Sequence, residues 1–253
     1  MLPVLPLLCA SAFVAGFFDA IVGGGGLIQL PALLVLLPEV PVATVLGTNK
    51  LTSLMGTSVA VTQFARHVRL EWPVVLPATL AAFVFSFIGA RAAILVPVSL
   101  FRPVILLLLV LVATTVFKKK DFGTSSVPKL AGRRQLLGSL AVGVVLGFYD
   151  GIFGPGTGSF LIFAFIGLFG LSFLSATASA KVVNAATNLS AVAYFASTQH
   201  ILYSAALPMA GCNILGALLG TRLAILRGNR FIRILFLCII SLIILKFGFD
   251  LFR

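Results

Sequence analysis

Two lysines stand alone in apolar stretches of the sequence, and no other side chains in these stretches are better suited to bind a ligand. Lys50 and Lys181 each lie about ten residues into an otherwise apolar helix predicted from the sequence. A charge at the centre of a bilayer costs about 3 kcal/mol on insertion scales, so an intramembrane lysine indicates a functional site. An ammonium group donates hydrogen bonds and accepts none, which suits it to an oxyanion.

Each lysine begins a polar stripe along one helix face. Asn184 and Asn188 follow Lys181 at i+3 and i+7, and the first half has polar residues at the same spacing after Lys50. Amide and hydroxyl groups can donate to oxyanion oxygens just as the ammonium does. In the first half, the polar residues on the stripe or beside it are Thr48, Asn49, Thr52, Ser53 and Thr57.

Glycine clusters interrupt the apolar pattern at residues 23–26 and 154–158. Non-helical backbone at membrane depth is tolerated only where it is buried in protein or lines a wet cavity. Such breaks create half-helices whose free N-terminal N–H groups favour anions, although small residues also serve close helix packing. The residues that we expect to bind substrate at these breaks are Gly24, Gly25, Gly26, Gly156, Thr157 and Gly158.

Two buried acids offer a structural alternative. Asp19 could neutralise Lys50, and Asp150 could neutralise Lys181, as ion pairs that hold each half together. The two interpretations are compatible, because a lysine could exchange its aspartate for substrate or for a proton.

The composition defines the elements that must position these residues. Of 253 residues, 60% are hydrophobic and 9% are charged, whereas soluble domains have about 25% charged residues. The net charge of +12 comes from clusters between apolar runs, which is typical of cytoplasmic loops and not of nucleic-acid binding. Several uncharged runs are long enough to cross a bilayer, which takes about 20 residues. The sequence predicts an all-α polytopic membrane protein.

Comparison of the chain with itself reveals a duplication. Lys50 and Lys181 are 131 residues apart, and at the same offset the segment from Gly16 to Gly25 recurs from Gly147 to Gly156. Aspartate, arginine and proline positions match as well, which composition alone would not produce. We therefore predict a first membrane half at 1–117, a basic cytoplasmic linker at 118–134 and a second membrane half at 135–253.

Repeated halves are common in secondary transporters, which bind substrate near the midplane between them. Each half has about four full-length helices plus a short apolar piece after its glycine cluster. If that piece is a re-entrant half-helix, the halves are inverted; otherwise they are parallel. With inverted halves, we expect both lysines to meet near the midplane and to face a common polar chamber. The inverted arrangement places twelve basic residues inside and four outside, against ten and six for the parallel one, so the positive-inside rule favours inversion.

The paired motifs resemble those of the TauE/SafE family of membrane transporters over essentially the whole chain. The matching segments are residues 16–26, Gly47-Thr48-Asn49-Lys50, residues 154–158 and Lys181-x-x-Asn184. The resemblance implies an inner-membrane protein that moves sulfite, sulfonates or related sulfur-containing anions, often as an exporter. The halves differ where Asn49-Lys50 corresponds to Ala180-Lys181, so the two half-sites are not chemically equivalent.

The sequence and the resemblance together predict a multi-pass secondary transporter of the bacterial inner membrane, working by alternating access. We expect its partners to be the lipid bilayer and a small anionic substrate, and we expect no nucleic acid partner. The sequence is also compatible with a homo-oligomer. No cofactor or metal is expected, and an enzyme is not expected, because the buried acids are only Asp19 and Asp150. The alternatives are an anion channel and a non-transporting membrane scaffold.

Overall fold

The computed structural model describes residues 2–93, 123, 126 and 128–251, and these residues form helices joined by turns, without a strand. The predicted span at 103–117 and most of the predicted linker lie outside the described residues. After a short 3₁₀ helix at Leu2–Val4, the helices are α1 (Leu5–Val22), α2 (Gly26–Leu36), α3 (Val42–His67), α4 (Trp72–Ala93), α5 (Gly132–Ile152), α6 (Thr157–Phe169), α7 (Phe173–Ser197) and α8 (Tyr203–Leu251). Gly228, with φ 67° and ψ −162°, interrupts α8.

The helix boundaries repeat with the offset found in the sequence. α2, α3 and α4 begin at residues 26, 42 and 72, and α6, α7 and α8 begin at 157, 173 and 203, which is 131 residues later in each case. α5 begins at Gly132, so the last three residues of the predicted 118–134 linker belong to a helix.

The helices differ in their capacity to cross a membrane. α1, α4, α5 and the part of α8 up to Ile239 are long and apolar enough to span it. α2 and α6, with 11 and 13 residues, reach only about 17 and 20 Å, against a hydrocarbon core of about 30 Å. α3 and α7 have 26 and 25 residues and are long enough, but they carry the buried polar stripes. The chain is a multi-pass membrane protein.

The half-helix α6 turns back along α5. The Lys129 ammonium, just before α5, donates to the carbonyl oxygens of Ile166 and Gly167 at the end of α6, at 3.1 and 3.0 Å. A Cβ placed on Gly138, in the first third of α5, would lie 3.4 Å from the Phe169 ring. The end of α6 therefore lies beside the beginning of α5, so the chain folds back on itself at the second glycine break.

The first half is built in the same way. Leu30 and Leu33 of α2 share a buried apolar cluster with Leu8 and Ala12, which lie in the first half of α1. α2 therefore returns towards the end of the molecule at which α1 begins.

The two halves interlock through their first and fourth helices. α1 packs along α8, and α5 packs along α4. The contacts depend on small residues: a Cβ at Gly220 would overlap the carbonyl oxygen of Phe17, and at the equivalent position a Cβ at Gly89 would overlap that of Phe148. Small residues let membrane helices approach closely, so each half supplies the packing surface for the first helix of the other.

The repeat-related helices α3 and α7 run in opposite directions. Leu202, just beyond α7, donates its N–H to Thr48 near the beginning of α3, at 3.0 Å. Ser175, near the beginning of α7, donates to the carbonyl oxygen of Arg69 just beyond α3, at 3.3 Å. Each helix therefore begins where the other ends.

One end of the molecule gathers segments from both halves. Around the beginning of α7, Phe173 donates its N–H to the carbonyl oxygen of Gly123 in the linker, and Leu174 donates to the Asn229 side chain after the break in α8, both at 2.8 Å. Arg69 lies at the same end. The described basic residues carried by these segments are Arg66, Arg69, Lys129, Arg133, Arg134, Arg227, Arg230 and Arg233.

Candidate functional site

The two glycine breaks contact each other at the centre of the molecule. Ser159 of α6 donates its N–H to the carbonyl oxygen of Gly23 at 3.2 Å and its hydroxyl to that of Val22 at 2.7 Å. A Cβ at Gly23 would overlap the backbone of Gly158, and the φ of Gly23 is +76°. Glycine is required here for both reasons, and the N-termini of the half-helices α2 and α6 meet as a result.

Two amides at these N-termini remain available to a ligand. The N–H groups of Gly26 and Gly158 make no hydrogen bond to any other residue that the structure describes. The first N–H groups of a helix lack intrahelical partners and carry the positive end of its dipole. Two such ends pointing into one region form a preorganised environment for negative charge.

The buried lysines form ion pairs that cross between the halves. The Lys50 ammonium lies 2.6 Å from Oδ2 of Asp150, and the Lys181 ammonium lies 2.7 Å from Oδ2 of Asp19. The expectation that each lysine pairs with the aspartate of its own half is wrong. Because each first helix packs on the other half and α3 and α7 are antiparallel, each carboxylate lies beside the lysine of the opposite repeat.

The two pairs differ in their surroundings. The Lys50 and Asp150 side chains are 3% and 2% exposed, and Lys181 is fully buried, whereas Asp19 is 18% exposed. Asp19 also accepts a hydrogen bond from the Gly25 N–H at 3.2 Å. Removing one partner of a buried pair leaves an uncompensated charge and costs about 3–5 kcal/mol. Each charge therefore depends on the other half for its partner.

A small polar cavity lies between the two breaks. Its volume is about 20 Å³, which is room for about one water molecule. The lining residues are Asp19, Gly23, Gly26, Asn49, Lys50, Ser53, Asp150, Gly154, Gly158, Asn184 and Asn188.

Comparisons with known proteins identify the family of the chain. The family described as "Sulfite exporter TauE/SafE" matches residues 8–247. The chain belongs to the sulfite exporter TauE/SafE family. No solved structure matches the chain.

Relatives in this family cover nearly the whole chain and carry transporter names. A "Probable membrane transporter protein" from a Sinorhizobium species is 35% identical over 91% of this chain and 87% of its own length. One from Haemophilus influenzae is 35% identical over 91% and 89%, and one from Escherichia coli is 30% identical over 98% and 90%. Membership in the TauE/SafE family makes this chain a membrane transporter.

The cavity of this TauE/SafE protein contains part of the site expected from the sequence. Seven of the thirteen residues proposed to bind substrate line it: Gly26, Asn49, Lys50, Ser53, Gly158, Asn184 and Asn188. Among the described residues, Lys181 is not one of those that line the cavity. Its ammonium is fully buried and paired with Asp19. We expected a chamber lined by both ammonium groups, and of the two lysines only Lys50 is among the residues that line the cavity.

The remaining expected residues build the turns around the cavity. The Thr48 hydroxyl accepts the Leu202 N–H, and the Thr157 hydroxyl donates to the carbonyl oxygen of Gly154 at 2.8 Å. Gly25 donates to Asp19. Gly24 and Gly156 supply carbonyl oxygens that accept the N–H groups of Leu27 and Phe160, both at 3.0 Å.

The backbones of the two lysines do not lie at the same depth in the molecule. Each lies eight residues after the beginning of its helix, Val42 for Lys50 and Phe173 for Lys181, which corresponds to about 12 Å of rise. That is about 6 Å before the middle of each helix. Because α3 and α7 are antiparallel, the backbones of the two lysines lie on opposite sides of the centre of this helix pair, while the carboxylates that pair with both ammonium groups line the same cavity.

Sequence reasoning missed several polar groups beside the cavity. Gly23 and Gly154 line it, and Gln29 and Asn213 connect to it through Asn49. Both amides lie in apolar helices and have no polar counterpart in the other half, so a search for matching residues passes over them. A polar residue inside an apolar run was the feature of the sequence that could have identified Gln29 and Asn213.

Proposed function

We propose that this TauE/SafE protein is a secondary transporter that exports small anions such as sulfite, sulfonates or other organosulfur compounds across the bacterial inner membrane. The observation that carries the proposal is the cavity between two half-helix N-termini, with a lysine and amide side chains in its wall. The wall offers ammonium, amide and backbone N–H donors, which suit oxyanion oxygens, and each of its two aspartates is neutralised by a lysine.

Anion binding and movement of the halves are coupled through the ion pairs. An oxyanion that binds the Lys50 ammonium competes with Asp150, which belongs to the other half. Weakening that pair loosens a contact between the halves and permits them to move. The cavity has room for about one water molecule, so it must widen to admit an anion, and in this proposal substrate enters when the halves separate on one side.

The halves act as inverted repeats in this proposal. The opposite directions of α3 and α7 support inversion, since a parallel duplication would align them. The re-entrant α2 and α6 support it as well, because each half then crosses the membrane an odd number of times if residues 103–117 form the predicted span. With the basic end in the cytoplasm, both termini lie outside.

Flux through proteoliposomes tests the function. The purified protein should move labelled sulfite or methanesulfonate, and unlabelled anion on the opposite side should accelerate the flux, as expected for a carrier. The charge-neutral double variant Lys50→Met with Asp150→Leu should lose transport while remaining folded. Lys129→Met, which removes a positive charge outside the cavity, is the matched control and should transport normally.

Three outcomes contradict the proposal. Ionic currents far above carrier turnover would make the protein a channel. Absence of flux for both anions in a folded wild type would favour a scaffold. Normal transport by the Lys50 and Asp150 double variant would remove the proposed role of the cavity lysine.

A further inference from the structure

Three buried amide side chains form a chain that ends at the cavity. Asn213 Nδ2 donates to Gln29 Oε1 at 3.0 Å, and Gln29 Nε2 donates to Asn49 Oδ1 at 2.9 Å. Gln29 is fully buried, and the other two side chains are nearly so. Of the three, Asn49 lines the cavity.

Two backbone carbonyls fix the direction of this chain. Asn213 Nδ2 also donates to the carbonyl oxygen of Ala12 at 3.0 Å, and Gln29 Nε2 also donates to that of Asn49 at 3.4 Å. A carbonyl oxygen only accepts, so neither amide can be reversed without losing a hydrogen bond. The Oδ1 of Asn49 is therefore occupied as an acceptor.

The remaining donor of the chain is available at the cavity. Asn49 Nδ2 makes no hydrogen bond to any residue in the described part of the chain. Because Asn49 lines the cavity and its Oδ1 is held by Gln29, the side chain is fixed in the orientation that leaves N–H donors for a ligand.

The second half shows that the fold does not need these amides. At the offset of 131 residues, Gln29, Asn49 and Asn213 correspond to Phe160, Ala180 and Ala82, all apolar. Burying polar groups is unfavourable unless every one is satisfied, and the equivalent region of the other half packs without them. Packing alone therefore does not account for a fully connected amide chain in one half.

We infer that Gln29 and Asn213 are positioning residues that hold Asn49 as a hydrogen-bond donor to an oxyanion bound beside Lys50. This inference rests on the proposed function and makes it more specific. The first half supplies the directed amide that recognises the oxygens of the anion. The second half contributes Asn184 and Asn188 to the cavity wall. Asn188 Nδ2 donates a hydrogen bond to Asn184 Oδ1 at 3.3 Å.

The substitution Gln29→Glu tests the direction of the chain. An ionised carboxylate cannot donate to Asn49 Oδ1, so the Asn49 amide should turn its Nδ2 to the carboxylate and present an acceptor to the cavity. A protonated carboxyl group can donate and should restore the original orientation. The ratio of KM for the variant to KM for the wild type should therefore rise with pH, by about tenfold or more.

Methanesulfonate is the probe for this experiment, because its charge does not change between about pH 5 and pH 8. The wild type is measured at each pH as the reference, because the charged groups that line the cavity, Lys50, Asp150 and Asp19, are present in both proteins. Ser86→Ala is the matched control: it removes a buried 2.9 Å hydrogen bond to the Thr187 carbonyl oxygen away from the cavity and should leave KM unchanged.

Gln29→Leu provides a second variant with no titratable group. It releases the Asn49 amide and should raise KM at every pH, with a smaller change in kcat. If the KM ratio for Gln29→Glu is constant with pH and Gln29→Leu has a normal KM, the inference is wrong while the transport function stands. A folded wild type that moves neither sulfite nor methanesulfonate overturns both proposals.

Discussion

Lys50 of the first half and Asp150 of the second half form an ion pair of 2.6 Å with almost no exposure of either side chain. Its repeat-related counterpart joins Lys181 to Asp19 at 2.7 Å. Both pairs cross between the halves, so the charges that would be most unfavourable in a bilayer are neutralised only when the two halves are assembled.

A double-mutant cycle should distinguish crossed pairing from pairing within a half. We expect Asp19→Asn and Lys181→Met to be coupled in the free energy of unfolding by about 0.5–3 kcal/mol. Asp19→Asn and Lys50→Met should show a clearly smaller coupling, because these groups are not paired. Reversible unfolding in detergent measures both cycles, and a larger coupling for Asp19 with Lys50 would contradict the crossed arrangement.

Neutral replacement of each pair should affect transport unequally. Lys50→Met with Asp150→Leu removes two groups from the cavity wall, whereas Lys181→Met with Asp19→Asn removes one charged group from the wall and one that is covered. The rate of methanesulfonate transport should therefore fall more in the first double variant, which we expect to lose transport, than in the second. Equal effects would mean that Lys181 also reaches the substrate.

Substitution at the contact between the breaks should be poorly tolerated. A Cβ on Gly158 would lie 2.5 Å from the Gly23 Cα, so Gly158→Ala should separate the two half-helices and cost about 1–3 kcal/mol of stability. Gly167→Ala in the same helix meets nothing within 4 Å and should be neutral or stabilising by up to about 1 kcal/mol. Similar thermal stabilities for the two variants would contradict the close contact.

Cysteine labelling should place the C-terminal end of α3 and the C-terminal end of α7 on opposite sides of the membrane. In a background without Cys9, Cys212 and Cys238, a cysteine at Arg69 should react from the cytoplasm and one at Gln199 from outside. A cysteine at the exposed linker residue Ser126 marks the cytoplasmic side. Labelling of positions 69 and 199 from the same side would contradict the inverted arrangement.

The duplication accounts for what could be predicted of the fold. Glycine clusters 131 residues apart predicted the beginnings of α2 and α6, because a run of glycines interrupts a membrane helix wherever it occurs. The partner of each aspartate could not be obtained in this way. Matching residues in both halves are equally compatible with pairing inside a half and across halves, and only the direction of packing decides.

The candidate site was predictable where the halves agree and less so where they differ. Lys50, Ser53 and Asn188 lie on stripes shared by both repeats and line the cavity. Lys181 matched the same pattern, yet its ammonium is paired with Asp19 and Lys181 is not among the residues that line the cavity. Gln29 and Asn213 have no counterpart, so they become visible only when the differences between the repeats are examined instead of the matches.

The crossed pairing has a consequence for how such a protein could arise. A chain with a single copy of this unit would carry one acid and one base that cannot reach each other, and a second molecule inserted upside down would be needed to satisfy both. Fusion of two copies removes the dependence on that encounter. After fusion, each copy can also diverge. The two halves already differ in the residue before the lysine, which is Asn49 in the first half and Ala180 in the second.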